Sequence, residues 1–135
     1  MNRNNFDSLI IHLLAIANFA KDIHYNCIGD NFYENHLLAD RFADNIYKYI
    51  DQIKEVCLIG HQLKPKKSSE YLTEAAKIIP LVIGFRQMRE LMINTLNVIE
   101  TIVNISKGDE NVLGEIAQDI QNNVGLLNIM FGDFE

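Results

Sequence analysis

The sequence has few residues that break helices. Its 135 residues include no tryptophan, two prolines, two cysteines and seven glycines, a composition typical of long helices with few connections. The cysteines, Cys27 and Cys57, form no Cys-x-x-Cys motif and have apolar neighbours, so we expect buried free thiols in a reducing compartment. No apolar run approaches the roughly 18 residues of a membrane span, and we expect no membrane association.

Basic residues are scarce as well. The chain has 12 Lys and Arg against 18 Asp and Glu, a formal net charge of −6. Its first residues, MNRNN, hold one arginine and no lysine. Because non-specific DNA binding depends on neutralising phosphates, we expect weak or absent DNA binding. The one basic cluster, Lys64, Lys66 and Lys67, is either a solvated loop or a patch that touches DNA. The start of the chain lacks the pattern of a signal peptide, so we expect a cytoplasmic protein.

Apolar residues recur at helical spacing, and no stretch alternates as a strand does. The first helix is apolar over more than half its circumference, which predicts burial in the bundle and against a second subunit. Pro80 predicts either the first turn of a third long helix or a kink within one. The pattern predicts one all-α domain over 1–135, a ferritin-like four-helix bundle with a short extra helix in the middle connection. The expected elements are helices over about 6–27 and 31–58, the latter with a capping box at Asn31 and Glu34, a loop over 60–69, a short helix near 69–79, a third helix from Leu81 to Gly108 and a fourth capped by Asp109.

The stretch HYNCIGDNFYENHLLAD contains two of the four histidines, His24 and His36, on either side of Gly29. Four residues after His36 stands Asp40, and a second pair of acids, Asp51 and Glu55, follows on the same predicted helix. At about 100° per residue, both pairs project from nearly the same face. His36 and Asp51 are nevertheless about 22 Å apart along the axis, too far to bind one metal centre.

Two explanations remain for these residues. They are unrelated polar residues on a solvated helix face, or two copies of the helix run antiparallel, so that His36 and Asp40 meet the partner's Asp51 and Glu55. His24 would complete each of two equivalent sites. Two imidazoles and three carboxylates with open positions suit Fe(II) better than structural zinc.

At these residues the chain resembles the Dps proteins, or mini-ferritins. Their ferroxidase signature is matched here by His24, Tyr25 in place of the usual Trp, Gly29, Phe32 and His36. The remaining positions of the signature, Asp40, Asp51 and Glu55, match as well. The likeness covers nearly the whole chain.

The resemblance implies a ferroxidase with catalytic, metal-binding ligands His24, His36, Asp40, Asp51 and Glu55. Two Fe(II) ions would be oxidised there by peroxide or dioxygen, and the ferric product stored, which protects against oxidative stress. The family's assembly implies a dodecamer built from two-fold dimers. Acids that we consider for an ion-entry pore, or simply for favouring the helix dipole, are Asp109, Glu110, Glu115 and Asp119. The alternative is a non-catalytic helical bundle with an assembly or partner-binding role.

Overall fold

Five α-helices follow one another along residues 1–133, the part of the chain that the computed structural model describes. A π-helical turn over Val56–Gly60 extends the second helix, and residues 1–133 contain no strand. The all-α class and the short helix in the middle connection are therefore confirmed. The helices are α1 (Arg3–Asn26), α2 (Phe32–Glu55), α3 (Ser68–Ile78), α4 (Phe85–Glu100) and α5 (Lys107–Met130).

Helix α1 is the centre of the bundle. It packs against α2, α3 and α4, while α4 packs against α5. Its wide apolar face is buried within the single chain, so the expected second subunit is not needed to cover it. The fully buried side chains of α1 include Phe6, Leu9, Ile10, Leu13, Ile16 and Phe19.

The connection between α1 and α2 is a tight turn. Cys27 caps α1, and Gly29 adopts a φ of 95°, which a residue without a Cβ tolerates best. Asn31 precedes α2 but forms no side-chain capping bond, so the predicted capping box with Glu34 is absent. The turn directs α2 back along α1.

The second half of the chain differs from the predicted helix boundaries. Pro80 lies in the connection between α3 and α4, and neither starts nor kinks a long helix. The residue before it, Ile79, is extended with φ −68° and ψ 127°, as the proline ring requires. Gly108 and Asp109 both lie inside the first turn of α5, because Ser106 is its N-cap and accepts a 3.2 Å hydrogen bond from the Asp109 amide.

Helix α3 is fastened to α1 by a buried polar contact. The hydroxyl of Tyr71 donates a 2.8 Å hydrogen bond to Oδ1 of Asp7 and accepts a 2.9 Å hydrogen bond from the backbone N–H of Lys66. Nζ of Lys66 lies 3.3 Å from the other Asp7 oxygen. Burial, followed by the bond to Asp7, raises the pKa of Tyr71 to about 12.

Both cysteines are free thiols. Cys57 is buried as predicted, and burial raises its pKa. Cys27 is only half-buried, because it stands where the chain leaves α1, so its predicted burial is wrong.

Candidate metal centre

The turn between α1 and α2 brings His24 and His36 into direct contact. His24 lies in the last turn of α1 and His36 in the second turn of α2. Their ring centroids are 3.5 Å apart and the ring planes differ by 19°. The structure therefore places these two predicted site residues side by side in one chain.

Each imidazole is held by the main chain of the other residue. Nδ1 of His24 lies 2.8 Å from the carbonyl oxygen of His36, and Nδ1 of His36 lies 2.7 Å from the carbonyl oxygen of His24. Since a carbonyl oxygen only accepts, both Nδ1 atoms carry the proton. In the neutral form of each ring, Nε2 then keeps its lone pair. Histidines that bind metals are oriented in this way, with the other ring N–H donated to a carbonyl or carboxylate.

Two aromatic rings extend the histidine pair on either side. Phe32 stacks on His36 with 4.9 Å between centroids, and Tyr25 meets His24 edge-on at 4.8 Å. Tyr25 is 76% exposed and Phe32 43% exposed. Tyr25 therefore lies at the surface next to the site, whereas Phe32 covers one face of the His36 ring.

Asp40 lies one turn after His36 and forms an ion pair with α1. Nζ of Lys21 donates a 2.6 Å hydrogen bond to Oδ1 of Asp40, and both side chains are about one-third exposed, at 33% and 37%. This hydrogen bond lowers the pKa of Asp40 and raises the pKa of Lys21, and the nearby imidazoles of His24 and His36 also lower the pKa of Asp40. The carboxylate stays ionised, but an ammonium group occupies one of its oxygens.

Lys21 had no part in the predicted site. It stands three residues before His24 on α1, and that spacing was the only signal in the sequence. Polar residues at such spacing are common on exposed helix faces. The partner of Lys21 is evident only once the crossing of α1 and α2 is known.

The other two predicted ligands lie elsewhere on α2. Asp51 and Glu55 are exposed, and Asp51 is about 16 Å from Asp40 along the helix axis. One chain therefore brings His24 and His36 together, with Asp40 one turn further along α2, and keeps Asp51 and Glu55 apart from them. Within residues 1–133, no group of three or more His, Cys, Asp or Glu side chains lies close enough to hold a metal ion.

The acids considered for a pore have different surroundings. Asp109 is buried, with Oδ2 lying 2.7 Å from Nε2 of His61 and 3.3 Å from the Met1 amino group. Glu110 and Glu115 are exposed. Asp119 is half-buried, and its Oδ2 has no hydrogen-bond partner within residues 1–133. Asp109 thus joins α5 to the π-helical end of α2, and the pore stays a prediction.

No protein-family model matches the chain, and no curated protein matches it. Among residues 1–133, no helix combines the length and the apolar character that crossing a membrane requires.

Proposed function

We propose that the chain is a Dps-like mini-ferritin of ferritin-like fold, which oxidises Fe(II) at centres shared between two copies of itself. The observation that carries the proposal is the His24–His36 pair. Two imidazoles are fixed by main-chain carbonyls at Nδ1, one turn from the Asp40 carboxylate. Main-chain bonds at both Nδ1 atoms keep Nε2 as the donor atom available to a metal.

The donor set suits iron as the substrate metal, in its Fe(II) and Fe(III) forms. One chain contributes two imidazole nitrogens and one carboxylate, and a second chain contributes the carboxylates of Asp51 and Glu55. A mixed set of nitrogen and carboxylate donors with open coordination positions is typical of Fe(II) sites that react with oxygen species. The acidic chain, at a formal net charge of −6, attracts cations to the site.

The two-chain arrangement follows from the length of α2. His36 and Glu55 lie near opposite ends of this helix, about 28 Å apart. Two antiparallel copies of α2 bring the histidine end of one chain to the acidic end of the other, and a two-fold axis creates two equivalent centres. A dodecamer of such dimers would enclose the ferric product, as the resemblance implies.

The proposed reaction is a two-electron reduction of hydrogen peroxide. One peroxide molecule takes one electron from each of two Fe(II) ions and two protons from solvent, and yields two Fe(III) ions and two water molecules. The side chains hold the two ions near each other, so that both electrons reach one oxidant and no hydroxyl radical escapes. The oxidation step consumes peroxide, and storage of the ferric product removes iron from solution.

The test measures loss of Fe(II) after addition of peroxide, with and without the protein. We expect the purified protein to accelerate Fe(II) oxidation, and His36→Ala to reduce this rate by about tenfold or more. His12→Ala is the matched control, because His12 lies away from the pair, with Nδ1 bonded to the carbonyl of Ser8 within its own helix. Equal rates in the wild-type protein and His36→Ala would refute the proposal.

One observation favours the alternative of a non-catalytic bundle. The 2.6 Å ion pair between Lys21 and Asp40 already ties α1 to α2 without any metal. In a non-catalytic bundle, the histidine pair and the ion pair would serve only to stabilise the packing of α1 against α2 beside their connecting turn. His36→Ala would then lower the melting temperature, and the wild-type protein would not accelerate Fe(II) oxidation.

A further inference from the structure

The residues that follow α5 turn back onto α4. Gly132 has a φ of 73°, in the left-handed region, and its backbone N–H donates a 3.0 Å hydrogen bond to the carbonyl oxygen of Ile129. The backbone N–H of Asp133 donates a 2.8 Å hydrogen bond to the carbonyl oxygen of Asn128. Together these bonds form a Schellman motif, which fixes the direction of the chain. The motif therefore holds Asp133 against α4.

Two arginines on α4 share the carboxylate of Asp133 unequally. Nη1 of Arg89 donates a 2.7 Å hydrogen bond to Oδ2 of Asp133 and a 2.8 Å hydrogen bond to Oδ1 of Asn128. Nη1 of Arg86 lies 3.9 Å from the same Asp133 oxygen, which is too far for a hydrogen bond. The hydrogen bond from Arg89 lowers the pKa of Asp133, so the carboxylate stays ionised. One carboxylate thus bonds fully with only one of the two guanidinium groups.

An aromatic ring supports both arginines. The guanidinium carbon of Arg86 lies 4.2 Å from the centroid of the Phe131 ring, and that of Arg89 lies 4.9 Å from it. Such cation–π contacts are attractive and hold the two like charges near each other. The position of the arginine pair therefore does not depend on Asp133 alone.

The pair lies in the first two turns of α4, which has no acidic residue in its first turn. Within residues 1–133, the N-cap Gly84 receives no side-chain capping bond. Because the N-terminus of a helix carries partial positive charge, two arginines are unfavourable there unless an anion lies beside them. The local charge thus favours anions, although the chain as a whole is acidic.

The surface beside the arginine pair has room for a ligand. A cleft of about 370 Å³ lies along α4 and α5, and it is lined by Arg86, Arg89, Glu90, Ile93 and Asn128, together with Gln87. The side chain of Arg86 is 61% exposed and that of Asp133 is 52% exposed. Solvent therefore reaches both groups. Glu90 opposes anion binding in this cleft, because its charge has the same sign as that of the ligand.

We propose that Arg86 and Arg89 form a binding site for a small oxyanion of the phosphate class, and that Asp133 occupies this site as an internal competitor. A tetrahedral oxyanion offers more acceptor oxygens than a carboxylate, so it bonds both guanidinium groups at once. The planar guanidinium fork matches phosphate oxygens in this way. When phosphate binds, Asp133 leaves Arg89 and turns toward solvent. The site lies outside the proposed iron chemistry and does not depend on it.

A purely structural role for the same contacts makes a different prediction. In that role, Asp133 and the arginines only fasten the turn after α5 to α4. Asp133→Asn would then lower the melting temperature and leave phosphate affinity unchanged. With an internal competitor, Asp133→Asn increases phosphate affinity, because it removes the charge that phosphate must displace.

Isothermal titration calorimetry with inorganic phosphate measures this affinity. The protein is first treated with a chelator, so that no iron takes part, and the ionic strength is kept low and constant. We expect Asp133→Asn to bind phosphate up to about fivefold more tightly than the wild-type protein, since an exposed ion pair contributes little more than this. Equal affinities in Asp133→Asn and the wild-type protein would overturn the proposal.

The arginines are tested by the opposite effect. Arg86→Gln and Arg89→Gln should each weaken phosphate binding by about tenfold or more, because each removes hydrogen bonds to a charged group. Arg41→Gln, at an exposed position on α2, is the matched control and should bind as the wild-type protein does. Circular dichroism checks that the helices remain. If Arg89→Gln fails to fold, the more exposed Arg86 still decides, and equal affinities in Arg86→Gln and Arg41→Gln would overturn the site.

Two further ligands define the chemistry of the site. Acetate should bind at least about fivefold more weakly than phosphate, because one carboxylate does not bond both guanidinium groups. Adenosine monophosphate that binds as tightly as phosphate would identify a phosphate ester as the ligand, whereas binding of phosphate alone would identify the free ion. Acetate binding equal to that of phosphate would overturn the choice of a phosphate-class oxyanion. Because these titrations contain no iron, their outcome is independent of whether the protein oxidises Fe(II).

Discussion

The ammonium group of Lys21 lies 2.6 Å from Oδ1 of Asp40, and this contact joins the last turns of α1 to the first half of α2. It places a cation on the carboxylate that we propose as an iron ligand. Any metal that binds Asp40 through this oxygen must displace Lys21. The ion pair therefore opposes metal binding and at the same time keeps the carboxylate ionised.

Replacing Lys21 with methionine removes the charge and keeps most of the aliphatic chain. We expect Fe(II) to bind up to about fivefold more tightly under anaerobic titration, because exposed ion pairs contribute little free energy. The pKa of Asp40 should also rise toward its ordinary value, so binding should weaken at a higher pH than in the wild-type protein. Lys77→Met, which removes the ion pair with Glu74 on α3, is the control. Unchanged affinity in Lys21→Met would argue that no metal binds Oδ1 of Asp40.

Tyr71 makes stability depend on pH in the alkaline range. Its pKa is about 12 in the folded chain and about 10 in the unfolded chain. The folded state therefore holds the proton of Tyr71 more tightly than the unfolded state does. The stabilisation that results is complete below pH 10. The free energy of unfolding should fall as pH rises from 10 to 12, by up to about 3 kcal/mol.

Tyr71→Phe should remove most of this pH dependence and cost about 1–2 kcal/mol at neutral pH, because Asp7 loses the hydroxyl group. Urea unfolding at several pH values measures both effects. Tyr49, whose pKa burial also raises, leaves a smaller slope of the same sign. Tyr33→Phe, at an exposed position, should keep the wild-type slope. A wild-type slope in Tyr71→Phe would contradict the assignment.

Asp109 and Glu110 are adjacent acids with opposite surroundings. Asp109 is 6% exposed and contacts His61, whereas Glu110 is exposed. Asp109→Ala should lower the free energy of unfolding by about 1–3 kcal/mol, since it leaves buried polar groups without a partner. Glu110→Ala should change it by less than about 0.5 kcal/mol. Thermal unfolding compares the two, and equal losses would show that the contact with His61 adds no stability.

The helices were predictable because periodic apolar residues report one property, the face that is buried. Phe6, Leu9 and Leu13 recur at helical spacing in the sequence and are fully buried in the structure. The ends of helices depend on single residues instead. The predicted third long helix, which is α4, starts at Phe85 and not at Leu81. The proline ring at position 80 forces Ile79 out of the helical conformation and so ends α3.

The contact between His24 and His36 was predictable, since a short turn joins their two helices. The Tyr71–Asp7 contact joins residues 64 positions apart, and no local pattern signals it. It depends on where α3 crosses α1, a property of tertiary packing. For the same reason the sequence pattern predicts Asp109 as a helix cap but contains no signal for its contact with His61.

We expect weak DNA binding at physiological salt. The basic loop should attract DNA less strongly than its three lysines suggest, because Nζ of Lys66 lies 3.3 Å from Asp7 and part of its charge is neutralised. Lys64 and Lys67 are exposed, but the chain as a whole carries a formal net charge of −6. A mobility shift with duplex DNA over a range of salt concentrations measures the affinity. Tight binding that Lys64→Ala/Lys67→Ala abolishes would mean that the loop, repeated over an assembly, outweighs the net charge.

Subunit mixing gives the decisive prediction for the shared centre. His36→Ala and Glu55→Ala should each lose most peroxide-dependent Fe(II) oxidation, because each damages both centres of its own dimer. In a mixed dimer one centre carries both defects. The other centre combines the wild-type His36 of one chain with the wild-type Glu55 of the other and is intact.

Random exchange makes half of the dimers mixed, and half of the centres in these are intact, so activity should return to about a quarter of the wild-type value. Mass spectrometry of isotopically labelled chains confirms that subunits have exchanged. Two His36→Ala preparations mixed in the same way provide the control and should recover nothing. If exchange is complete and the mixture of the two variants also recovers nothing, the ligands do not come from two chains. Recovery near a quarter requires that His36 and Glu55 of different chains serve one centre, since ligands from a single chain would leave every centre with one defect.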